Sequence, residues 1–196
     1  AHPVTGAKLK QFMMKDNPSI VIDPRRTVLA RYATHHLQLR PGTNVALLNM
    51  MLYYIIKEGL EDKKFIESRT EGYEEFKEHI LQLDIDKMEA VTGVEREKVR
   101  QAAITYASAP NAMSFHGLGV TEHSQGTYAV MLIADLAMIT GNIGRKGVGV
   151  NPLRGQNNVQ GAADMGCQPY QGAGYMDVTN PEFHKLDLST MHVPSG

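Results

Sequence analysis

Ile20-Val21-Ile22-Asp23-Pro24-Arg25 is a short β-branched run that ends abruptly in an acid, a proline and an arginine. Such a run fits a fully buried parallel strand, and the proline stops the strand and turns the chain outward. Working outward, residues 6–15 have helical composition on the N-terminal side. On the C-terminal side His36-Leu37-Gln38-Leu39 alternates as a second strand would, closed by the turn dipeptide Pro41-Gly42 with Thr43 as a plausible N-cap. Residues 44–59 are apolar on nearly every side, which describes a buried helix ending at Gly59. Further helices are predicted over 62–68, 73–81, 86–91 and 95–108. Ala112-Met113-Ser114-Phe115-His116 reads as a third strand running into Gly117-Leu118-Gly119. Ser124 then caps a helix over 125–139, and beyond Gly141 glycine and asparagine replace the apolar runs, with one short helix over 159–165.

Strands alternating with helices imply an α/β fold: a Rossmann-like parallel sheet with flanking helices, right-handed crossovers and a coil-rich C-terminal tail. Residues 20–23 and 113–116 are expected in that one sheet. A helical block over 44–108 is inserted between its second and third strands.

Bulk composition removes several classes. The 196 residues carry 42% hydrophobic and 21% charged side chains with a net charge of -1, so no field of one sign advertises nucleic acid or a membrane surface. The apolar run 45–56 is too short to cross a bilayer. One cysteine, Cys167, allows neither an intrachain disulfide nor a metal site made of cysteines alone, and it fits a reducing, cytoplasmic compartment. Ala1-His2-Pro3 has no features of a signal peptide, and the stretch 185–196 ends in Pro194-Ser195-Gly196. Both ends read as cuts through a longer chain.

Three places carry chemistry. Gly117-Leu118-Gly119-Val120-Thr121-Glu122 lies between a strand and a helix, where small residues let a ligand approach the backbone; Glu122 in place of a third glycine disfavours a plain nicotinamide site. A simple tight turn is the other reading. Asp23, at a strand end, can accept hydrogen bonds from a ribose or a guanine edge, or can cap local backbone, and Gly42-Thr43-Asn44 offers backbone N–H groups at the same sheet edge. Residues 149–161 hold two glutamines, three asparagines and Arg154 but almost nothing for a core. Planar amides and a guanidinium suit heteroaromatic and carboxylate ligands, whereas a solvated loop usually carries serine, lysine and glutamate. The eight histidines do not cluster: His35 and His36 read as surface and packing residues, and His116 and His123 as satisfied polar residues.

In this order, Ile22-Asp23-Pro24-Arg25-Arg26-Thr27, residues 40–49, residues 119–127, Thr140-Gly141-Asn142-Ile143-Gly144 and Asn151-Pro152-Leu153-Arg154-Gly155-Gln156-Asn157-Asn158 resemble the formate dehydrogenase branch of the bis-pyranopterin guanine dinucleotide enzymes. The resemblance runs from His2 to about Pro181. It implies oxidation of formate to carbon dioxide at molybdenum or tungsten held by two molybdopterin guanine dinucleotides. A 4Fe-4S cluster and the metal's protein ligand would lie in a missing N-terminal part. Cys167 falls where that family has no metal ligand, so no metal ligand is expected here. The resemblance further implies that Asp23, Arg25, Gly42 and Asn44 contact the guanosine end of one cofactor. Gly119, Glu122 and Gln156 would line its approach to the metal, and Arg154 would orient formate. Glu122 stands where glutamine is common in that family, and Ala163 where cysteine is frequent.

The domain organisation expected on this basis is an incomplete dinucleotide-binding domain over 1–148, followed by a substrate and cofactor loop over 149–196. Its partners would be formate, other domains of the same chain and an electron-transfer subunit or acceptor, with no nucleic acid. Two alternatives remain: a related molybdopterin oxidoreductase for another substrate, against which the Asn-Pro-Leu-Arg-Gly-Gln run argues, and a non-catalytic nucleotide-binding module.

Overall fold

The computed structural model describes residues 2–182 and 185; the expectation for the last stretch, 186–196, lies outside the described residues. The chain divides into two compact units, residues 1–153 and residues 154–196.

The first unit is built around one helix. Helix α1 (Pro3–Met13) leads into β1 (Ile20–Ile22), a 3-10 turn at Leu29–Arg31 and β2 (His35–Leu37). Helix α2 (Asn44–Lys57) follows, then α3 (Lys63–Arg69), α4 (Tyr73–Leu81), α5 (Ile85–Thr92) and α6 (Arg96–Ala107). Strand β3 (Met113–His116) and the one-turn α7 (Leu118–Thr121) precede α8 (Gly126–Ile139) and β4 (Gly149–Pro152). Leu47, Leu48, Met50, Met51, Leu52, Tyr54, Ile55 and Ile56 are all buried on α2, as its all-round apolar pattern predicts. It packs against α4, α5, α6 and α8, which enclose it as the shared core of the unit.

The parallel pairing is present but is shared between two ladders. β1 pairs with β2, matching Ile20 to His35 and Ile22 to Leu37, while β3 pairs with β4, matching Met113 to Gly149 and His116 to Pro152. The single sheet expected to hold both residues 20–23 and 113–116 is therefore not formed among the described residues. The strands are three or four residues long, so each has few backbone groups with which to recruit further neighbours. β1 is consequently half-buried rather than fully buried, with Ile22 at 36% exposure. β4 was expected to be coil because Gly149-Val150-Asn151-Pro152 carries glycine and proline. Proline is tolerated at its last position, where the ladder needs no further N–H.

Two helix starts also differ from expectation. Gly117-Leu118-Gly119 is not an open loop: Gly117 precedes α7, and Leu118 and Gly119 are its first two residues. The cap of α8 is Gln125 rather than Ser124, and Gly126 opens the helix because the Thr121 carbonyl lies where any Cβ would project. In the second unit, α9 (Val159–Asp164) is followed by two isolated antiparallel bridges, Met165 with Ala173 and Gln171 with Asp177.

Candidate functional site

The C-terminal ends of β1, β2 and β3 converge on one cleft of about 430 Å³. Its walls come from Ile22 to Arg25 after β1, from Leu39, Pro41, Gly42, Asn44 and Leu48 around the start of α2, and from Phe115 to Gly117, Gly119, Val120 and His123 after β3. A crevice at the carboxyl ends of parallel strands is where α/β folds commonly take ligands, because loops there diverge and helix N-termini face inward.

Each wall has an identifiable support. The Asp23 carboxylate accepts from the Arg25 backbone N–H at 2.7 Å and lies 3.9 Å from the Arg25 guanidinium. From β2 and the residue after it, the chain fastens the backbone behind Asp23. The His36 Nε2 and the Asp23 carbonyl are 3.0 Å apart, and Gln38 Nε2 donates to the Pro24 carbonyl at 2.9 Å. The Arg25 guanidinium itself is 84% exposed, so it is free to meet an incoming anion.

Arg40 holds the second wall. Its backbone N–H donates to Thr92 O at 2.9 Å and its guanidinium to Ala90 O at 2.6 Å, so one residue caps the last carbonyls of α5 and anchors the Pro41-Gly42 turn. Gly42 adopts φ +83°, a left-handed conformation that favours glycine, and open space surrounds the position a Cβ would take. Thr43 is the N-cap of α2 by position, yet its hydroxyl donates backward to Arg40 O at 2.7 Å instead of accepting from the helix. The first N–H groups of α2 are left without a side-chain cap beside the cleft.

His116 lies on the third wall. It is only 7% exposed, and its buried Nδ1 has no hydrogen-bond partner among the described residues, contrary to the expectation of a satisfied polar residue. Burial also pushes its imidazole pKa down, favouring the neutral ring. His35, by contrast, is partnered: its Nε2 lies 2.8 Å from Thr105 Oγ1. His123 joins the cleft wall, and its neighbour Glu122 is exposed and does not.

Five of the positions singled out from sequence, Asp23, Arg25, Gly42, Asn44 and Gly119, are thus brought together across nearly a hundred residues of chain. Sequence reasoning read His116 and His123 as satisfied polar residues rather than as cleft residues and passed over Phe115; the available signal was that a strand ending at residue 116 turns those side chains or their neighbours toward the same edge.

Of the remaining three, Glu122 lies outside the cleft lining in the first unit, and Arg154 and Gln156 belong to the second unit and are exposed. Arg154 Nη2 donates to Gln160 Oε1 at 3.4 Å. The Gln160 amide donates to Asp164 Oδ1 at 2.9 Å and to the Tyr175 hydroxyl, which in turn donates to Asp164. Cys167 is exposed, and no grouping of three or more His, Cys, Asp or Glu suited to a metal ion occurs among the described residues.

A family model described as molybdopterin oxidoreductase matches residues 1–188. The chain is 46% identical over 193 residues to an F420-dependent formate dehydrogenase subunit alpha of Methanocaldococcus jannaschii, covering 96% of this chain and 29% of that protein. It is 44% identical over 181 residues to formate dehydrogenase H of Escherichia coli, covering 92% and 25% respectively. The assimilatory nitrate reductase catalytic subunit of Bacillus subtilis is 38% identical over 170 residues, covering 87% of this chain and 24% of its own length. Among solved structures, acetylene hydratase from Pelobacter acetylenicus superposes with a TM-score of 0.68 at 31% identity, covering 73% of this chain and 20% of that one. The chain therefore spans between a fifth and a third of the length of each of these relatives.

Proposed function

The chain belongs to the molybdopterin oxidoreductase family, and from that premise we propose that it is a segment of the catalytic subunit of a molybdenum- or tungsten-dependent formate dehydrogenase. In this reading the cleft of the first unit grips the guanosine end of one of two molybdopterin guanine dinucleotides, and Arg154 orients formate. The two parallel ladders are parts of one Rossmann-like sheet completed by the rest of a longer chain. Iron–sulfur chemistry and the metal's protein ligand belong to that remainder, the electrons pass on to an electron-transfer subunit or acceptor, and the location is cytoplasmic.

The observation that carries the reading is the convergence of Asp23, Arg25, Gly42, Asn44 and Gly119 on one cleft. The donor set fits a guanine nucleotide. The Asp23 carboxylate is an acceptor for guanine N–H groups or ribose hydroxyls, and the Arg25 guanidinium is a permanent cation for a phosphate. The uncapped N–H groups of α2 suit an anion, and the open space over Gly42 leaves room for a ring or a phosphate against backbone. Gly119 on the cleft wall, together with Glu122 and Gln156, both exposed, is read as lining the cofactor's approach to the metal.

When bound, the bis-pterin metal centre supplies the acceptor for two electrons as formate becomes carbon dioxide and a proton. The contribution of this chain is positional. Guanidinium and carboxylate pair through two parallel charge-assisted hydrogen bonds, so Arg154 would fix the plane of formate and aim its C–H bond. Being always protonated, it would do so at any working pH.

A test uses the full-length protein. Preparations are assayed for molybdenum and tungsten, for guanine released on denaturation, and for dye reduction with formate or dye oxidation with nitrate. Two guanines per metal with formate-dependent reduction is expected. Nitrate turnover without formate oxidation would overturn the substrate assignment and favour the nitrate reductase relative; absence of guanine would overturn the cofactor assignment.

A further inference from the structure

Arg154 is held by a cluster whose proton arrangement has only one solution. A glutamine amide has an acceptor end and a donor end of nearly equal size, so its orientation is decided by its neighbours. Asp164, four residues after Gln160 on α9, is acceptor-only as a carboxylate and takes the Gln160 Nε2 donor at 2.9 Å. Tyr175 spends its one proton on the same Asp164 oxygen, which leaves its lone pair to accept the second Nε2 hydrogen. Both amide protons are then committed. Oε1 must point the other way, and it meets Arg154 Nη2 at 3.4 Å.

The backbone builds this cluster deliberately. Tyr175 sits at φ +62°, a conformation uncommon for a residue with a Cβ, and its preceding Gly174 N–H donates to Asp164 O at 2.8 Å. The Met165–Ala173 bridge closes the return of the chain that brings Tyr175 back over α9. The two hydrogen bonds that Asp164 accepts, first from Tyr175 and then from Gln160, also hold its carboxyl below the usual range, so it stays ionised and acceptor-only at neutral pH.

We propose that Gln160 is a positioning residue for Arg154: Asp164 and Tyr175 lock its amide with the oxygen toward the guanidinium, and that oxygen occupies one Nη2 hydrogen and fixes the fork's rotation. Four N–H groups remain, enough for a bidentate grip on a planar carboxylate from the other edge. The inference rests on the reading of Arg154 as the formate-binding residue, and adds that its orientation is imposed by α9 rather than found by the substrate.

The full-length, metal-loaded enzyme tests this with Gln160→Met, Asp164→Asn, Arg154→Ala and the double variant Arg154→Ala/Gln160→Met. Gln160→Met removes the acceptor at similar volume. Asp164→Asn is isosteric but lets the Gln160 amide turn over. Each is expected to raise KM for formate about 3- to 10-fold with a smaller change in kcat and unchanged metal content. Thermal stabilisation of the same preparations by acetate, an inert carboxylate, is expected to weaken in parallel. The double variant should be no worse than Arg154→Ala alone, because Gln160 acts only through Arg154.

Additive losses in the double variant, or unchanged KM and acetate response in Asp164→Asn, overturn the positioning role. If Arg154→Ala itself leaves formate kinetics per bound metal unchanged, the underlying assignment of Arg154 fails first, and the two failures are told apart. Should Gln160→Met lose metal, the isosteric Asp164→Asn decides alone.

Discussion

Replacing Gly119 by alanine separates what the fold needs at this position from what a ligand would need. Gly119 lies in the one-turn helix α7, its φ is outside the left-handed region, and nothing lies within 4 Å of where a Cβ would be. Glycine in a helix is about 0.5–1 kcal/mol worse than alanine, chiefly because the unfolded chain loses more freedom. With no clash to offset it, that gain should be kept. For a unit of roughly 150 residues, each kcal/mol moves Tm by about 2–4 °C, so Tm should rise by about 1–4 °C. Ligand binding should move the other way. Gly119 lines the cleft, and forcing a methyl group into a well-packed contact costs about 1–3 kcal/mol, or roughly a 5- to 150-fold weaker Kd. The assay is thermal denaturation by circular dichroism and titration calorimetry with guanosine diphosphate, on the same preparations. Gly42→Ala is the control: open space surrounds it too, but its φ of +83° should cost about 1–2 kcal/mol and lower Tm. A stabilised Gly119→Ala with unchanged Kd would refute the claim that a nucleotide approaches this backbone. A destabilised one would refute the account of α7.

Asn142 is 1% exposed; it accepts from the Ala112 N–H at 2.9 Å and donates to Thr140 Oγ1 at 2.9 Å, tying the end of α8 to the entry of β3. Asn142→Ala should cost about 2–4 kcal/mol by leaving those groups unpaired, and a shift in the urea midpoint equivalent to less than 1 kcal/mol would count against the latch. His35 and His116 both have imidazoles pushed below 6.5 by burial. The unfolded chain therefore binds protons first, so Tm should be highest above pH 6.5 and fall as pH drops through the window below it. Replacing both histidines with glutamine should flatten that stretch of the profile, and an unchanged slope would exclude them as its cause. In the full-length enzyme, Arg154→Ala should lower kcat/KM for formate about 10- to 100-fold, and Arg154→Lys less, at normal metal content. Equal loss of metal and activity would instead mean that Arg154 braces its own loop.

The helices were readable because their burial repeats along the chain. Tyr73–Leu81 starts and stops at the predicted residues, and the density of leucine, methionine and isoleucine on α2 announces its place at the centre. β4 was hidden because its pairing with β3 is a property of the partner, not of Gly149-Val150-Asn151-Pro152. Nothing in a four-residue window records which ladder will recruit it. The cleft was legible in part: Asp23, Gly42 and Gly119 each end a strand or open a helix, positions that a parallel topology gathers at one edge. His116 was read as satisfied for the opposite reason. An unpartnered ring nitrogen is defined by what does not surround it, and local sequence carries no trace of that.

The two ladders flank the cleft without a backbone hydrogen bond joining one to the other among the described residues. In mechanical terms the cleft of this segment, taken by itself, is a joint rather than a slot. Its rims are coupled through packing of β2 on α6, α6 on α2, α2 on α8 and α8 on β3, and such packing yields more readily than a continuous ladder. A molecule touching Asp23 on one rim and Gly119 on the other would act as a tie-rod across that joint. Its binding free energy would then be spent partly on closing the gap, and would return as added stability that grows with the logarithm of ligand concentration. Apo preparations should accordingly breathe at β1 and β3 more than at α2, and the difference should vanish on saturation. A cofactor held this way stiffens its own housing.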